Sequence, residues 1–308
     1  MVVNPNVQPG PEHGPVPPSG ADHEAAGQGR SRRGHVWRRF RRNKTAVIGM
    51  AFVAAFVLVA LFAPVLAPYE AGQNHFDAVL APPGGDYLMG TDDLGRDIYS
   101  RVLYGARVSM QAAVMATLLA LVVSVPLGLI AGYYRGAVDS VIMRIVDTLL
   151  AFPFIILAVG LAAILGPSLL NVTIALGVGS VPSQIRIIRG EVLGLREEDY
   201  VGGAIASGAT DVSILAKHIV PNLMNTLLVQ ATVMIPGNII GEATLSYLGL
   251  GVQAPRPSWG VMLNAAQVNL SSGVWMAVFP GAAICIATLA FNLFGDGVRD
   301  VLDPKTHR

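Results

Sequence analysis

The sequence predicts an all-α protein, a bundle of six membrane-spanning helices with both termini in the cytoplasm. Three observations carry that prediction. The 308 residues are 53% apolar and only 13% charged, against about 25% charged in an ordinary soluble domain, and mean hydropathy is +0.54. Charge-poor runs of the about 20 residues needed to cross a hydrocarbon core of about 30 Å occur at 45–66, 108–133, 140–165, 169–190, 222–246 and 274–295. Eight of the 21 Lys and Arg side chains, Arg30, Arg32, Arg33, Arg38, Arg39, Arg41, Arg42 and Lys44, crowd just before the first run. A basic cluster abutting a membrane helix fixes that end in the cytoplasm, which is a simpler reading than a nucleic-acid arm.

Residues 1–34, rich in Pro, Gly and Ser and without apolar periodicity, are expected to be a disordered cytoplasmic tail. Residues 35–44 interleave basic side chains with Trp37 and Phe40, as an interfacial segment does. From 45 to 308 the chain reads as one transmembrane domain. With six spans, Arg135, Arg186, Arg189, Arg196, Lys217, Arg299, Lys305 and Arg308 fall at the inner side, and Arg96, Arg101, Arg107 and Arg256 outside. The first run begins too late, and too many spans follow it, for a cleaved signal peptide.

Between the first two spans lies an outside segment, 68–107. Its sequence GTDDLGRDIYSRVLYGAR places Leu94, Ile98 and Val102 four apart, predicting a helix that Asp92 or Asp93 caps. The aspartates lack the alternating pattern and terminal Glu of a calcium loop. Spans two to six each contain a proline, Pro126, Pro153, Pro182, Pro236 and Pro280. The charge-free stretch 148–185 is divided by Gly166-Pro167-Ser168. The second outside loop, 247–273, has no run long enough to span, and Trp259 is expected within reach of the interface.

Few groups inside the spans suit chemistry. Arg144 and Asp147, three apart, can pair on one helix face. Glu242 stands near the outer end of the fifth span, facing a pathway or the interface. A proton- or ion-driven carrier needs more than these. The single cysteine, Cys285, excludes an intramolecular disulfide and reads as a small packing residue. His13 and His23 belong to the tail, and His75 and His218 stand alone as surface residues, so no metal site is expected. Gly90–Arg96 has the glycines of a phosphate-binding loop but not its lysine, and no dinucleotide turn is present. The chain is therefore read as no enzyme and as carrying no cofactor; energy for uphill movement must come from a partner.

The cytoplasmic loop at 191–221 is where such a partner would act. Glu197, Glu198 and Asp199 suit a helix N-terminus, and a short helix is expected over Tyr200–Ser207. Gly208 supplies the left-handed residue that ends it. Thr210 or Asp211 then caps a second helix over Val212–Ile219, and Pro221 sits at the entry to the fifth span, where its missing N–H does no harm. Helix, tight turn and helix make an element stiff enough to transmit a push. A loop that merely joins two spans seldom contains so much order.

Here the chain resembles a known family. Ala204, Gly208 and His218-Ile219-Val220-Pro221 match the cytoplasmic signature of permease subunits of binding-protein-dependent ABC importers, although Gly202-Gly203-Ala204 stands where that signature usually has Glu-Ala-Ala. GTDDLGRDIYSRVLYGARVS, RIVDTLLAFPF, LSYLGLGVQAPRPSWG and FNLFGDGVRDVLDP occur in order, and together resemble the second, C-type permease subunit of dipeptide, oligopeptide and nickel importers over residues 38–304. The resemblance implies a bacterial plasma membrane location. It also implies a second six-helix permease subunit, two cytoplasmic ATPase subunits and an extracytoplasmic solute-binding protein as partners. Ala204, Gly208, Asp211, Ile214 and Pro221 then belong to the ATPase-coupling site, with Ala204, Asp211 and Ile214 on the docking surface. Peptides lead as the solute, with nickel chelates or other small solutes as alternatives. The rival functional classes are a membrane sensor or assembly subunit, and an ion-coupled carrier.

Overall fold

The computed structural model describes residues 40–41 and 43–302. The expected tail at 1–34 and most of the basic segment at 35–44 lie outside the described residues, as do Lys305 and Arg308. Among those described, regular structure is helical: α1 (Lys44–Leu66), α2 (Ile98–Tyr134), α3 (Gly136–Leu150), α4 (Phe154–Leu165), α5 (Leu169–Arg196), α6 (Asp199–Ala206), α7 (Asp211–Ile214), α8 (Val220–Tyr247), α9 (Trp259–Val268) and α10 (Trp275–Leu302). Four described helices, counting α7 to α8 as one, are long and apolar enough to cross a membrane, and five if α3 and α4 together make one span.

The expected third span is thus not a single helix. Its halves are bent by 88° at Ala151–Pro153. Pro153 has no N–H to give, and the residue before a proline is pushed out of helical conformation, so the ladder stops there. Pro126, Pro182, Pro236 and Pro280 remain inside their helices. Those helices continue because neighbouring helices pack around the gap.

Close packing comes from small residues. A Cβ on Gly128 or Gly132 of α2 would lie 2.7 Å from Ile188 or Val192 of α5, and one on Gly177 of α5 would lie 2.7 Å from Leu119. The same holds between α1 and α10, where a Cβ on Gly49 would stand 2.5 Å from the Phe294 nitrogen. Between lipid-embedded helices there is no hydrophobic drive, and backbone proximity supplies the dispersion energy instead. At the end of the bundle where α1 starts and α10 finishes, Asn43 donates from Nδ2 to Asp300 at 3.3 Å.

The segment 67–97 corrects an expectation. Asp97, not Asp92 or Asp93, caps α2, accepting from the Ser100 N–H at 2.8 Å and its hydroxyl at 2.6 Å. The helix starts at Ile98 and leaves Leu94 in the preceding turn. Asp92 instead organises that turn: one oxygen accepts from the N–H groups of Leu94 and Arg96, both at 2.9 Å, and the other from Arg96 Nε at 2.7 Å. Arg101 reaches the same carboxylate at 3.5 Å and donates to the Ala71 carbonyl at 2.7 Å. Gly95, at φ 71°, lets His75 approach so closely that a Cβ would lie 2.0 Å from its carbonyl oxygen. His75 is half-buried against Tyr69 and Tyr87 rather than lying free on the surface.

Three further side chains differ from expectation. Trp259 is 1% exposed, not interfacial; its Nε1 donates to the Val102 carbonyl at 3.1 Å, over a gap left by Gly105. Asp147 pairs with Arg186 of α5, not with Arg144 of its own helix. Cys285 is exposed on the outside of the chain rather than packed within it.

Candidate functional site

The segment expected to couple to an ATPase runs from the end of α5 to the start of α8. Arg196 closes α5, and Glu198, in extended conformation, begins α6 with no side-chain cap of its own. Asp199 in the first turn complements the positive end of the helix. The observed α6 starts and ends one residue before the expected helix.

The turn has the full bond pattern of a Schellman closure. The Gly208 N–H donates to the Ile205 carbonyl at 3.0 Å, and the Ala209 N–H to that of Ala204 at 3.1 Å. These two bonds satisfy carbonyls that a helix end leaves orphaned. They require the intervening residue to be left-handed, and Gly208 has φ 79°. Ala204 is thereby tied to the turn through its backbone, while its side chain packs on the core beneath.

After the turn, the Thr210 hydroxyl accepts from the Ser213 N–H and caps α7. The helix is shorter than expected. Leu215–Ile219 forms one π turn, with the Val220 N–H reaching back to the Leu215 carbonyl. Pro221 explains it: its ring crowds the carbonyl four residues earlier and offers that group no N–H, so the coil widens by a residue. Pro221 then occupies the first turn of α8.

The sequence-derived site residues do not share one face. Asp211 and Pro221 are exposed, as is Gly208, and Ala204 is half-buried. Ile214 is 1% exposed and sits in a core with Val201, Ile219, Leu223, Ile188, Val192 and Tyr133. It holds the element to the bundle and offers no contact surface. The outward apolar groups are Tyr200 at 41%, Ile205 at 49% and Val212 at 73% exposure, with Gly202 and Gly203 open beside them. Ile205 and Val212 lie on either side of Gly208. Helical spacing did not reveal them: Ile205 stands four residues after the buried Val201, a spacing that predicts the inner face, and the packing of the element leaves it outside.

Polar contacts pin the element to α2 and α5. The Tyr133 hydroxyl donates to Asp211 Oδ1 at 2.9 Å, and the Arg196 guanidinium stands 5.3 Å from the Tyr133 ring centroid. Arg135, between α2 and α3, donates to Glu197. That bond, and the arginine's charge, hold the Glu197 carboxyl below the usual carboxylate range. Arg189 of α5 donates from both Nε and a terminal nitrogen to Asp139 of α3. Sequence spacing gave no signal for these pairs, because each joins residues 39 or more positions apart. The arrangement is an apolar-tipped bracket packed on Tyr133 of α2, Ile188 and Val192 of α5 and Leu223 of α8.

Comparison with known proteins agrees with the geometry. Residues 124–308 match the family model described as binding-protein-dependent transport system inner membrane component. Residues 31–83 match the N-terminal TM domain of oligopeptide transport permease C. The chain is 43% identical over 270 residues to the dipeptide transport system permease protein DppC of Alkalihalophilus pseudofirmus, covering 88% of this chain and 89% of that one. It is 43% identical over 271 residues to the glutathione transport system permease protein GsiD of Pectobacterium atrosepticum, covering 87% and 90%. Against GsiD of Escherichia coli the identity is 45% over 271 residues, covering 87% and 89%.

Proposed function

The chain belongs to the family of inner membrane components of binding-protein-dependent transport systems, and from that premise we propose that it is the C-type permease of an ATP-driven importer of peptides or a similar small solute. The permease role itself follows from the family. The dipeptide and glutathione systems in which its relatives act support the solute class. In this reading it sits in the bacterial inner membrane as six spans, with α3 and α4 forming one broken third span and α5 the fourth. Supporting α5 is its length of 28 residues, which at about 1.5 Å per residue exceeds a hydrocarbon core of about 30 Å. Within it Thr173 and Gln184 are buried among the helices. Both termini lie in the cytoplasm with the coupling element, which the Asn43–Asp300 bond and the basic residues beside it support.

A second permease, two ATPase subunits and an external binding protein complete the machine, and ATP hydrolysis belongs to the partners. The observation that carries the mechanism is the bracket of α6, Gly208 and α7, with Ile205 and Val212 outward and Ile214 and Ile219 inward. ATPase closure presses on the outward side, and the buried side passes the movement to α2, α5 and α8. The experiment is a gentle-detergent pull-down of the tagged chain, with ATP hydrolysis assayed on the eluate with and without loaded binding protein. Recovery of a second permease and a stimulated ATPase is expected. Recovery of the chain alone, or with a partner that hydrolyses no ATP, overturns the reading in favour of a sensor or assembly role.

A further inference from the structure

A cavity of about 220 Å³ opens where the third span breaks. Leu149, Leu150, Phe152 and Phe154 line it from α3, the break and α4; Ser180, Ser183 and Gln184 from α5; and Gly237 and Asn238 from α8. Two independent features mark it as more than a packing defect. Gln184 is 5% exposed, and its Oε1 is fully buried with no hydrogen-bond partner. An unpaired buried acceptor is destabilising, so it points to a group that arrives later. The wall is also non-helical at Ala151–Pro153, and irregular backbone at membrane depth is tolerated where it lines a cavity.

The remaining polar groups define what fits. Ser180 and Ser183 donate their hydroxyl protons to the carbonyls of Leu176 and Ser180, at 2.9 Å each. That leaves each hydroxyl only as an acceptor toward the cavity. Asn238 donates from Nδ2 to Thr117 at 2.9 Å, which leaves its carbonyl oxygen and its second N–H. The lining therefore offers hydroxyl and amide acceptors together with the amide N–H donors of Gln184 and Asn238, carries no charged side chain, and is flanked by two phenylalanines. Such a site suits peptide groups, which both donate and accept, beside apolar substituents. Its volume is below the about 300–1,000 Å³ of a drug-sized pocket, on the scale of one or two amino-acid residues.

We propose that this cavity is a solute station within the membrane, where Gln184, Asn238, Ser180 and Ser183 hydrogen-bond the amide groups of a peptide. The inference rests on the chain being a peptide-importer permease. Its rim residues Val233, Phe152 and Gly237 are exposed in the single chain, so the solute would lie between this permease and its partner.

The test uses the complete importer in proteoliposomes, supplied with a mixed pool of di- and tripeptides and read by mass spectrometry of the lumen. Gln184→Leu keeps the bulk and removes the acceptor. It is expected to lower uptake about tenfold while binding-protein-stimulated ATP hydrolysis stays within about twofold. In parallel, a Ser183→Cys thiol in a Cys285→Ser background is labelled with N-ethylmaleimide; loaded binding protein plus ATP is expected to slow labelling, and empty binding protein is not. If Gln184→Leu fails to assemble, the labelling alone decides. Unchanged uptake, or uptake and hydrolysis falling together, overturns the station while leaving the importer intact. A thiol blocked with or without peptide means that a partner helix fills the cavity, with the same consequence. No peptide uptake by the unsubstituted complex overturns the proposed function, and the station with it.

Discussion

The Tyr133 hydroxyl at the end of α2 donates to the carboxylate of Asp211 at the start of α7, 2.9 Å away and 78 residues apart in sequence. It joins the element that meets the outside world to a helix that runs the depth of the bundle. Tyr133 is 5% exposed, so the bond is made from a fixed base. Hydrogen bonds to charged groups contribute about 1.5–3 kcal/mol, and exposure of Asp211 puts this one at the low end. Tyr133→Phe keeps the ring beneath Arg196 and loses only the hydroxyl. Assembly should persist, ATP hydrolysis should persist, and uptake per ATP should fall several-fold. A loss of assembly instead would show that the hydroxyl serves folding rather than coupling.

Gly208 offers a cleaner separation of shape from space. A Cβ there meets nothing within 4 Å, yet φ is 79°. The cost of substitution is therefore conformational: about 1–2 kcal/mol for an L-residue in the left-handed region, less for Asn, which enters it more readily, and more for a β-branched residue. Uptake should fall in the order Gly, Asn, Ala, Val, with Gly208→Val uncoupled. Equal activity of all four would mean that the turn is not required.

Arg135 is a strained residue with a compensation. It has φ 55° and ψ −165°, a region nearly exclusive to glycine and costing about 1–3 kcal/mol. Its side chain holds Glu197. Arg135→Gly should therefore raise thermal stability while loosening α6, seen as faster hydrogen exchange over 199–206. The pH dependence has a definite sign. The folded Glu197 carboxyl lies below its unfolded value because Arg135 donates to it, so the contribution is complete above the unfolded value. It is lost as pH falls through the folded one. Near neutrality the protection of 199–206, with the intrinsic exchange rate divided out, should not change with pH. With side chains 41% and 69% exposed, salt should weaken the pair as acid does, and Glu197→Gln should reproduce both effects.

How much was legible in the sequence divides by the range of the interaction. The Gly208 turn, the Thr210 cap and the place of Pro221 were readable because each is decided within a few residues. Asp92 and Asp97 were confused because both are aspartates before an apolar run; only the fold shows that Arg96 and Arg101 claim the first. Asp147 was given to Arg144, the nearest cation on its helix, while α5 delivers Arg186. Trp259 was expected at the interface because hydropathy cannot see Gly105 opening a slot for it. The break at Pro153 has the same proline signal as Pro126, which continues its helix. What separates them is packing, which no local pattern encodes.

Glu242 is the residue whose meaning changed most. Near the end of α8, it faces neither lipid nor an open pathway: it is 0% exposed and accepts from the hydroxyls of Ser109 on α2 at 2.6 Å and Ser246 on its own helix at 2.7 Å. The carboxylate thus joins α2 to α8. Removing it orphans buried hydroxyls at about 1–3 kcal/mol each, so Glu242→Leu should destabilise the assembled complex by several kcal/mol in thermal unfolding. Glu242→Gln keeps one carbonyl acceptor and the shape, and should cost far less. The same pair of variants separates ATP-driven import from ion coupling. If a proton or cation bound here drove transport, Gln, which cannot exchange a proton, would abolish uptake as completely as Leu, and an uncoupler would do the same to the unsubstituted complex. With energy arriving through the Gly208 bracket instead, Glu242→Gln should retain most of its uptake, and an uncoupler should leave transport in ATP-supplied proteoliposomes unchanged.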